Sequence, residues 1–418
     1  MNSLAAHCEK LQSSLQFADT TAPLHACPLY QLAFIMKISF KQVFTFIQRI
    51  NSLLASHSGK RHSVWALCLV LCLVGLIPAW ARSANPTEKE LAEKYSASAW
   101  AAQRIYQDIL VSTVGSGEKR AYIFQPDAEN LSKLPVVLFL HGWRGTNPKN
   151  FGALIDLMVR RGAIVIYPVY QEEGEKTSPQ RIAGNAAESI QAAFAMLEKN
   201  QPQLIDKSKT LYWGFSMGAS LSMRFALQSQ TLGLPKPNAM VLVGPGEPHH
   251  VVRGAAAAPI AGDIESLSPT IPTFIITGNA DSSIGVPTAR AWSQRLCHLP
   301  STHRKLLLLP SDGENGQRIA AGHGSPGAPD SRFDFPDATQ AVPLRIKANR
   351  GFEESPSLNQ LDFYGYWRVS MAMLDYVAGS AYPLELFLPQ TLENKFLGFL
   401  PSGRPYAAAI EEDLCKSN

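Results

Sequence analysis

The stretch TLYWGFSMGAS, Thr210 to Ser220, runs an apolar segment straight into a serine set between two glycines, Gly214 and Gly218. Alone, Gly-x-Ser-x-Gly is a weak signal, because small residues fill turns for many reasons. Its surroundings decide it. TLYWG has the aliphatic and aromatic content of a buried strand, and MGASLSMRFALQSQ, which follows, has the apolar spacing of a helix. A serine at such a junction lies where the first backbone N–H groups of a helix are free to meet a ligand or a developing charge. Ser216 is therefore a candidate nucleophile, provided that the neighbouring elements form a sheet with helices around it.

Outward from that junction, strand and helix signals alternate. RAYIFQP and PVVLFLHG read as strands, the second an unbroken apolar run of the kind buried on both faces of a parallel sheet. NFGALIDLMVRRG reads as a helix ended by Gly162, AIVIYPV as a strand, and NAAESIQAAFAMLEKN as a helix with Ile190, Phe194 and Leu197 on one face. Beyond Ser216 come the strands AMVLVG and TFIITG, the helix VPTARAWSQRLCHL and the strand KLLLLP. Upstream, TEKELAEKYSASAWAAQRIYQDIL reads as one helix capped by Thr87, with Leu91, Tyr95 and Ile105 as apolar positions; LDFYGYWRVSMAMLDYVAG reads as the last core helix. The alternation predicts an α/β fold: a doubly wound, mostly parallel sheet with helices on both faces. Such sheets bind ligands at the carboxyl ends of their strands.

The 418 residues have a globular composition, with 46% hydrophobic and 17% charged. Val64 to Trp80, VWALCLVLCLVGLIPAW, is uncharged, preceded by Lys60 and Arg61 and followed by a small-x-small site at Ala79 to Ala81. Residues 64–81 therefore read as a secretory signal, with an uncleaved anchor through residues 64–80 as the alternative, since the run is at the lower limit for a bilayer span. The 63 preceding residues exceed what a signal's basic flank needs; a true start at Met36 would account for the excess, with a long amphipathic presegment as the alternative. Neither Cys68 nor Cys72 has the small residue before it that a bacterial lipid-attachment site wants.

Residues 1–81 hold 6 of the 38 Lys and Arg and 2 of the 34 Asp and Glu, leaving residues 82–418 with 32 of each sign and no net charge. A neutral domain with no basic run gives no electrostatic reason for a nucleic-acid partner. Only Cys297 and Cys415 follow residue 81. Outside the cytosol they can pair and pin the C-terminal tail, with two free thiols as the alternative. No spacing resembles a metal site, and no internal repeat is visible.

HGWRG after a buried strand, GFSMG at the strand-to-helix turn, GNAD after a late strand and a histidine beyond the last one together resemble the α/β-hydrolase superfamily. The closest branch is that of secreted esterases and dienelactone-hydrolase-like proteins, and the resemblance covers roughly Arg120 to Gly379. It implies a triad in the chain order serine, acid, histidine. A serine hydroxyl needs a base to take its proton and a carboxylate to hold that base in the right tautomer. Ser216 would be the nucleophile and Asp281, in TFIITGNADSSIG, the acid, with Asp312 in reserve. Of the six histidines after residue 81, His141 lies in HGWRG, His249 and His250 precede the acid, and His298 and His303 precede the last strand. His323 alone follows that strand, after a connection longer than the superfamily usually shows.

The resemblance also implies oxyanion donors: the backbone N–H of Met217 and, from the HGWRG turn, that of Trp143. Gly142, Gly214 and Gly218 would permit the close backbone approach. The Trp143 ring could also wall an acyl pocket, and Arg144 could attract an acidic substrate. Residues 246–270 lie where the superfamily often carries a lid, and 380–418 form an extension that packs on the domain, covers the cleft or touches lipid.

The expectation is a secreted or periplasmic ester hydrolase that needs no cofactor and takes a small-molecule or lipid-like ester. Membrane association would follow from a retained segment 64–80, and the oligomeric state stays open. The rival expectation is a catalytically silent envelope protein that keeps the scaffold for binding, in which His323 would face solvent far from Ser216.

Overall fold

The computed structural model describes residues 86–415 except 172–176, 178, 248–260, 336–343, 350, 353–354 and 356. The expected presegment 1–63, the signal or anchor at 64–81 and most of the expected lid at 246–270 lie outside the described residues. No described helix is long and apolar enough to cross a membrane.

The N-terminal segment departs from its expected form. Thr87 does cap α1 (Glu88–Lys94), in a reciprocal capping box with Glu90. Ser96 then accepts a hydrogen bond from the Ala99 N–H and starts a second helix, α2 (Ala97–Ala102), so the single helix expected over this stretch is two. A serine hydroxyl that binds nearby backbone competes with the helical ladder, which is why the break falls there. Leu91 and Tyr95 are buried as their spacing predicts, but Ile105 is 70% exposed. Asp108-Ile109-Leu110, read as the end of the helix, instead opens β1 (Ile109–Val114).

The alternating core follows: β2 (Arg120–Pro126), β3 (Leu134–Leu140), α3 (Gly152–Arg160), β4 (Ile164–Val169), α4 (Pro179–Asn200) and β5 (Ile205–Phe215). It continues with α5 (Met217–Gln228), β6 (Ala239–Val243), β7 (Thr273–Gly278), α6 (Gly285–Arg295) and β8 (Arg304–Leu309). Next come a small hairpin of β9 (Asp312–Glu314) and β10 (Gln317–Ile319), then β11 (Leu344–Ile346). A π turn at Leu361–Tyr366 leads into α7 (Trp367–Ala378), which ends on Gly379 in the left-handed conformation (φ 115°). The tail carries α8 (Leu384–Phe387), α9 (Leu392–Lys395) and β12 (Ile410–Glu412).

Ten strands form one sheet in the order β11-β1-β2-β4-β3-β5-β6-β7-β8-β12. The run from β4 to β8 is parallel, and β2, β1, β11 and β12 join antiparallel at the two ends. The chain moves from β3 to β4 on one side and returns to place β5 on the other, so the strand order reverses between β3 and β5. That reversal opens the crevice in which such sheets bind ligands. Side chains alternate across the sheet as strand geometry requires. Val137, Phe139, Leu211 and Trp213 pack in the core layer with α3 and α7, while Leu138, Leu140 and Tyr212 pack in the layer with α4, α5 and α6. The indole of Trp213 stacks 4.1 Å from Phe139 and donates to Ser370 Oγ at 2.9 Å, fastening α7 under the strand that carries the serine.

The tail packs on the domain. Phe387, Phe396, Leu397, Leu400 and Tyr406 are buried in the α3 and α7 layer, leaving Leu384 and Leu388 partly exposed. β12 pairs with β8, and just beyond it Cys415 is disulfide-bonded to Cys297, 118 residues earlier. A bridge closing a loop of that length removes much freedom from the unfolded chain and contributes about 2–4 kcal/mol. Cys415→Ser is expected to lower the urea-unfolding free energy by about that amount. A variant as stable as the parent would show that the bridge contributes nothing.

Candidate active site

β5 delivers Gly214 and Phe215 to Ser216, whose backbone sits at φ 54°, ψ −122°. For a residue with a side chain this is a sparsely populated conformation, costing of order 1–3 kcal/mol. Close packing holds it. A Cβ on Gly218 would collide with the carbonyl oxygens of Leu140 and His141 at the end of β3, and one on Gly214 with the Gly218 carbonyl. Only glycine at both positions lets the first turn of α5 seat against the sheet. Hydrogen bonds then fix the turn from the β6 side: Ser216 N–H donates to Val243 O at 2.9 Å, Gly246 N–H to Ser216 O at 3.1 Å, and Ser220 Oγ to Gly246 O at 2.9 Å.

Asp281 follows β7 in the turn that leads into α6, and His323 follows the β9–β10 hairpin. The structure brings both to Ser216. His323 Nε2 lies 2.9 Å from Ser216 Oγ, and Nδ1 lies 2.6 Å from Asp281 Oδ2. The Asp281 side chain is 2% exposed and that of His323 29%, so the acid is sealed while the base reaches the surface. Burial by itself raises the Asp281 pKa. Hydrogen bonds from His323, the Gly285 backbone and Thr277 more than offset it and hold the carboxyl below its ordinary value. A Cβ on Gly285 would overlap the carboxylate, so that glycine makes room for the acid. The reserve acid, Asp312, is instead paired with Arg404 at 2.9 and 3.0 Å on the β9–β10 hairpin.

The remaining histidines lie elsewhere. His298 meets the carbonyls of Leu267 and Arg295, and His303 that of Pro269. His249 and His250 are outside the described residues. His141 is fully buried, stacked 3.9 Å from the Tyr170 ring, and burial drives its pKa down to about 3, so the imidazole stays neutral.

His141 opens the turn after β3. Gly145 N–H donates to Gly142 O at 3.0 Å, Arg144 takes the left-handed conformation at φ 64°, and its N–H donates to Gln171 Oε1 at 2.9 Å. The hydroxyls of Tyr170 and Tyr167 donate to the carbonyls of His141 and Gly145. Sequence reading missed these three supports, all at the end of β4, where YPVYQ shows only a strand running out. A Cβ on Gly142 would come within 3.1 Å of Ser216 Cβ, so the Gly142–Trp143 backbone runs beside the serine. Met217, first residue of α5, has an N–H with no carbonyl four residues back in its own helix. Phe215, 5.0 Å from the His323 ring, and Ile284, packed at Gly246, give the serine apolar neighbours.

Residues 120–289 match the dienelactone hydrolase family. The matched segment contains the turn after β3, Ser216 and Asp281, and it spans the strands whose order reverses at the crevice. The chain has the α/β-hydrolase fold. The family match places the hydrolase among carboxylic ester hydrolases. Carboxyl esterase 2 (TmelEST2) from the mycorrhizal fungus Tuber melanosporum is a similar solved structure, 17% identical over 53% of this hydrolase and 78% of that chain, with a TM-score of 0.38. No curated protein matches.

Two outcomes are expected of this hydrolase. Gly218→Ala forces α5 away from β3 and should destabilise the fold by about 3 kcal/mol or more, read as a lower melting temperature. An unchanged melting temperature would refute the close approach. Asp281 has a folded pKa below its unfolded one, so its contribution to stability is complete above the ordinary carboxyl value of 3.8 and fades as pH falls below it. Asp281→Asn should therefore lose less stability than the parent between neutral pH and the acid range. Parallel stability curves for the two proteins would contradict that.

Proposed function

We propose that this α/β-hydrolase is a serine esterase that works through an acyl-enzyme on Ser216, with His323 as the base and Asp281 as its partner. The observation that carries the reading is the pair of contacts at His323, one nitrogen at Ser216 Oγ and the other at Asp281 Oδ2. In the first half-reaction Ser216 Oγ attacks the ester carbonyl carbon as its proton passes to His323 Nε2. Asp281 holds the Nδ1–H and stabilises the imidazolium. The negative charge that develops on the carbonyl oxygen is met by the N–H groups of Met217 and Trp143. Collapse of the tetrahedral intermediate expels the alcohol, which takes the proton from Nε2. Water then attacks the acyl-enzyme, giving its proton to His323, and Ser216 leaves reprotonated with the carboxylic acid released.

Phe215 and Ile284 are apolar side chains beside Ser216 and His323, which suits small esters with short hydrocarbon acyl or alcohol groups. A silent binding protein would have no need for the strained backbone of Ser216 or for a buried acid behind the histidine. The signal-like run at 64–81 and the Cys297–Cys415 bridge support a secreted or periplasmic location, since disulfides persist in oxidising compartments.

Ser216→Ala should lower kcat for p-nitrophenyl butyrate by at least about 10,000-fold and abolish labelling by a fluorophosphonate. Undiminished hydrolysis in that variant would overturn the assignment.

A further inference from the structure

The connection between β8 and His323 is long, yet the histidine is held to within hydrogen-bond reach of two partners. The explanation lies in what folds the connection up. Asn315 and Gly316, both at positive φ (51° and 77°), close a two-residue turn that pairs β9 with β10. Ala321 N–H donates to Ser311 Oγ at 2.9 Å, so the two ends of the insertion are tied together. The Ala321 carbonyl accepts from Ala280 N–H at 3.0 Å, one residue before the acid and two before the base. The insertion is thereby a rigid bracket between Asp281 and His323.

The C-terminal tail holds that bracket. The Tyr406 side chain is buried, and its hydroxyl accepts from Asp312 N–H at 3.0 Å and lies 3.1 Å from Pro310 O and 3.5 Å from Ile319 O. One phenol thus touches the entry to the hairpin, its first strand and its last. Arg404 makes a two-pronged pair with Asp312, and Ala407 N–H donates to the same carboxylate at 2.7 Å. Ser402 N–H donates to Glu314 Oε1 at 2.7 Å. None of these tail residues touches Ser216, Asp281 or His323.

We propose that Tyr406 is a positioning residue for the reaction, holding His323 in register with Ser216 and Asp281 through the β9–β10 hairpin, with Arg404 as its outer support. The inference rests on the serine-esterase reading. A base displaced by a fraction of an ångström costs rate in the chemical step and leaves substrate binding alone.

The test is a double-mutant cycle on the full chain with p-nitrophenyl butyrate: parent, Tyr406→Phe, His323→Ala and the double variant. Tyr406→Phe is expected to lower kcat about 10-fold with KM within about 2-fold, because only the alignment of the base is lost. In the His323→Ala background the same substitution should change the residual rate by less than about 2-fold, since no base remains to align. Equal losses in both backgrounds would mean a general loss of structure and overturn the proposal, as would an unaltered kcat in Tyr406→Phe. Full activity in His323→Ala would instead overturn the esterase reading on which it rests. Should Tyr406→Phe fail to fold, Arg404→Gln, at an exposed position, takes its place in the same cycle with an expected kcat loss of about 3-fold and the same criterion.

Discussion

The site depends on how closely the first turn of α5 sits against the end of β3. Because Gly214 and Gly218 carry no Cβ, the helix start comes down onto the carbonyls of Leu140 and His141, and no other residue type fits there. That one contact fixes three things at once. It forces Ser216 into its strained conformation, aims the helix N-terminus at the crevice, and brings the turn after β3 alongside the serine. The strain of about 1–3 kcal/mol is covered by burial: Met217, Leu221 and Phe225 on α5 are fully enclosed, and each such side chain contributes about 1.5–3 kcal/mol.

The acid and the histidine are placed by different means. Asp281 belongs to the sheet, since Gly278 and Gly285 bracket it between the end of β7 and the start of α6, and its carboxylate fills space that any larger residue at 285 would take. His323 belongs to an insertion, and its position is secured by contacts from far along the chain: the hairpin before it and the Ser325–Tyr366 hydroxyl pair after it, at 2.7 Å. Tyr366 sits at the end of the π turn that opens α7, so the helix fastened under Trp213 also steadies the loop beyond the histidine. One face of the sheet therefore serves both the serine strand and the base.

The parts of this arrangement that were legible in the sequence are those written in local pattern. The apolar runs at β3 to β8, the glycines around Ser216 and the place of Asp281 just after a strand can be read from a dozen residues at a time. His323 could be singled out only by chain order within a resemblance, and nothing near it in the sequence tells how it is held. Two departures from the expected elements do have local signals: Ser96, which splits the first helix, and Asn315-Gly316, which closes a hairpin within the long connection before His323. The hold of Tyr406 on Pro310 and Asp312 spans more than ninety residues, and such a contact leaves no periodicity to find. The three supports under the turn after β3 were hidden for the same reason, since Tyr167 and Tyr170 look like ordinary strand residues until their hydroxyls are seen to meet the carbonyls of Gly145 and His141.

The ends of the sheet complete the account. β1 and β8 would each present an unpaired backbone ladder to solvent, and β8, with four consecutive leucines, would be an adhesive edge. Each is closed by a strand of only three residues, β11 on one side and β12 on the other. Pairing so short leaves little edge for a second molecule to extend, and β12 carries Glu411 and Glu412 along it, held by Lys305 and Arg290. The three residues of β12 thus cover an edge on which a second copy could otherwise pair, and because Cys415 is bonded to Cys297 they would stay tethered there even if the backbone were cut just before Ile410.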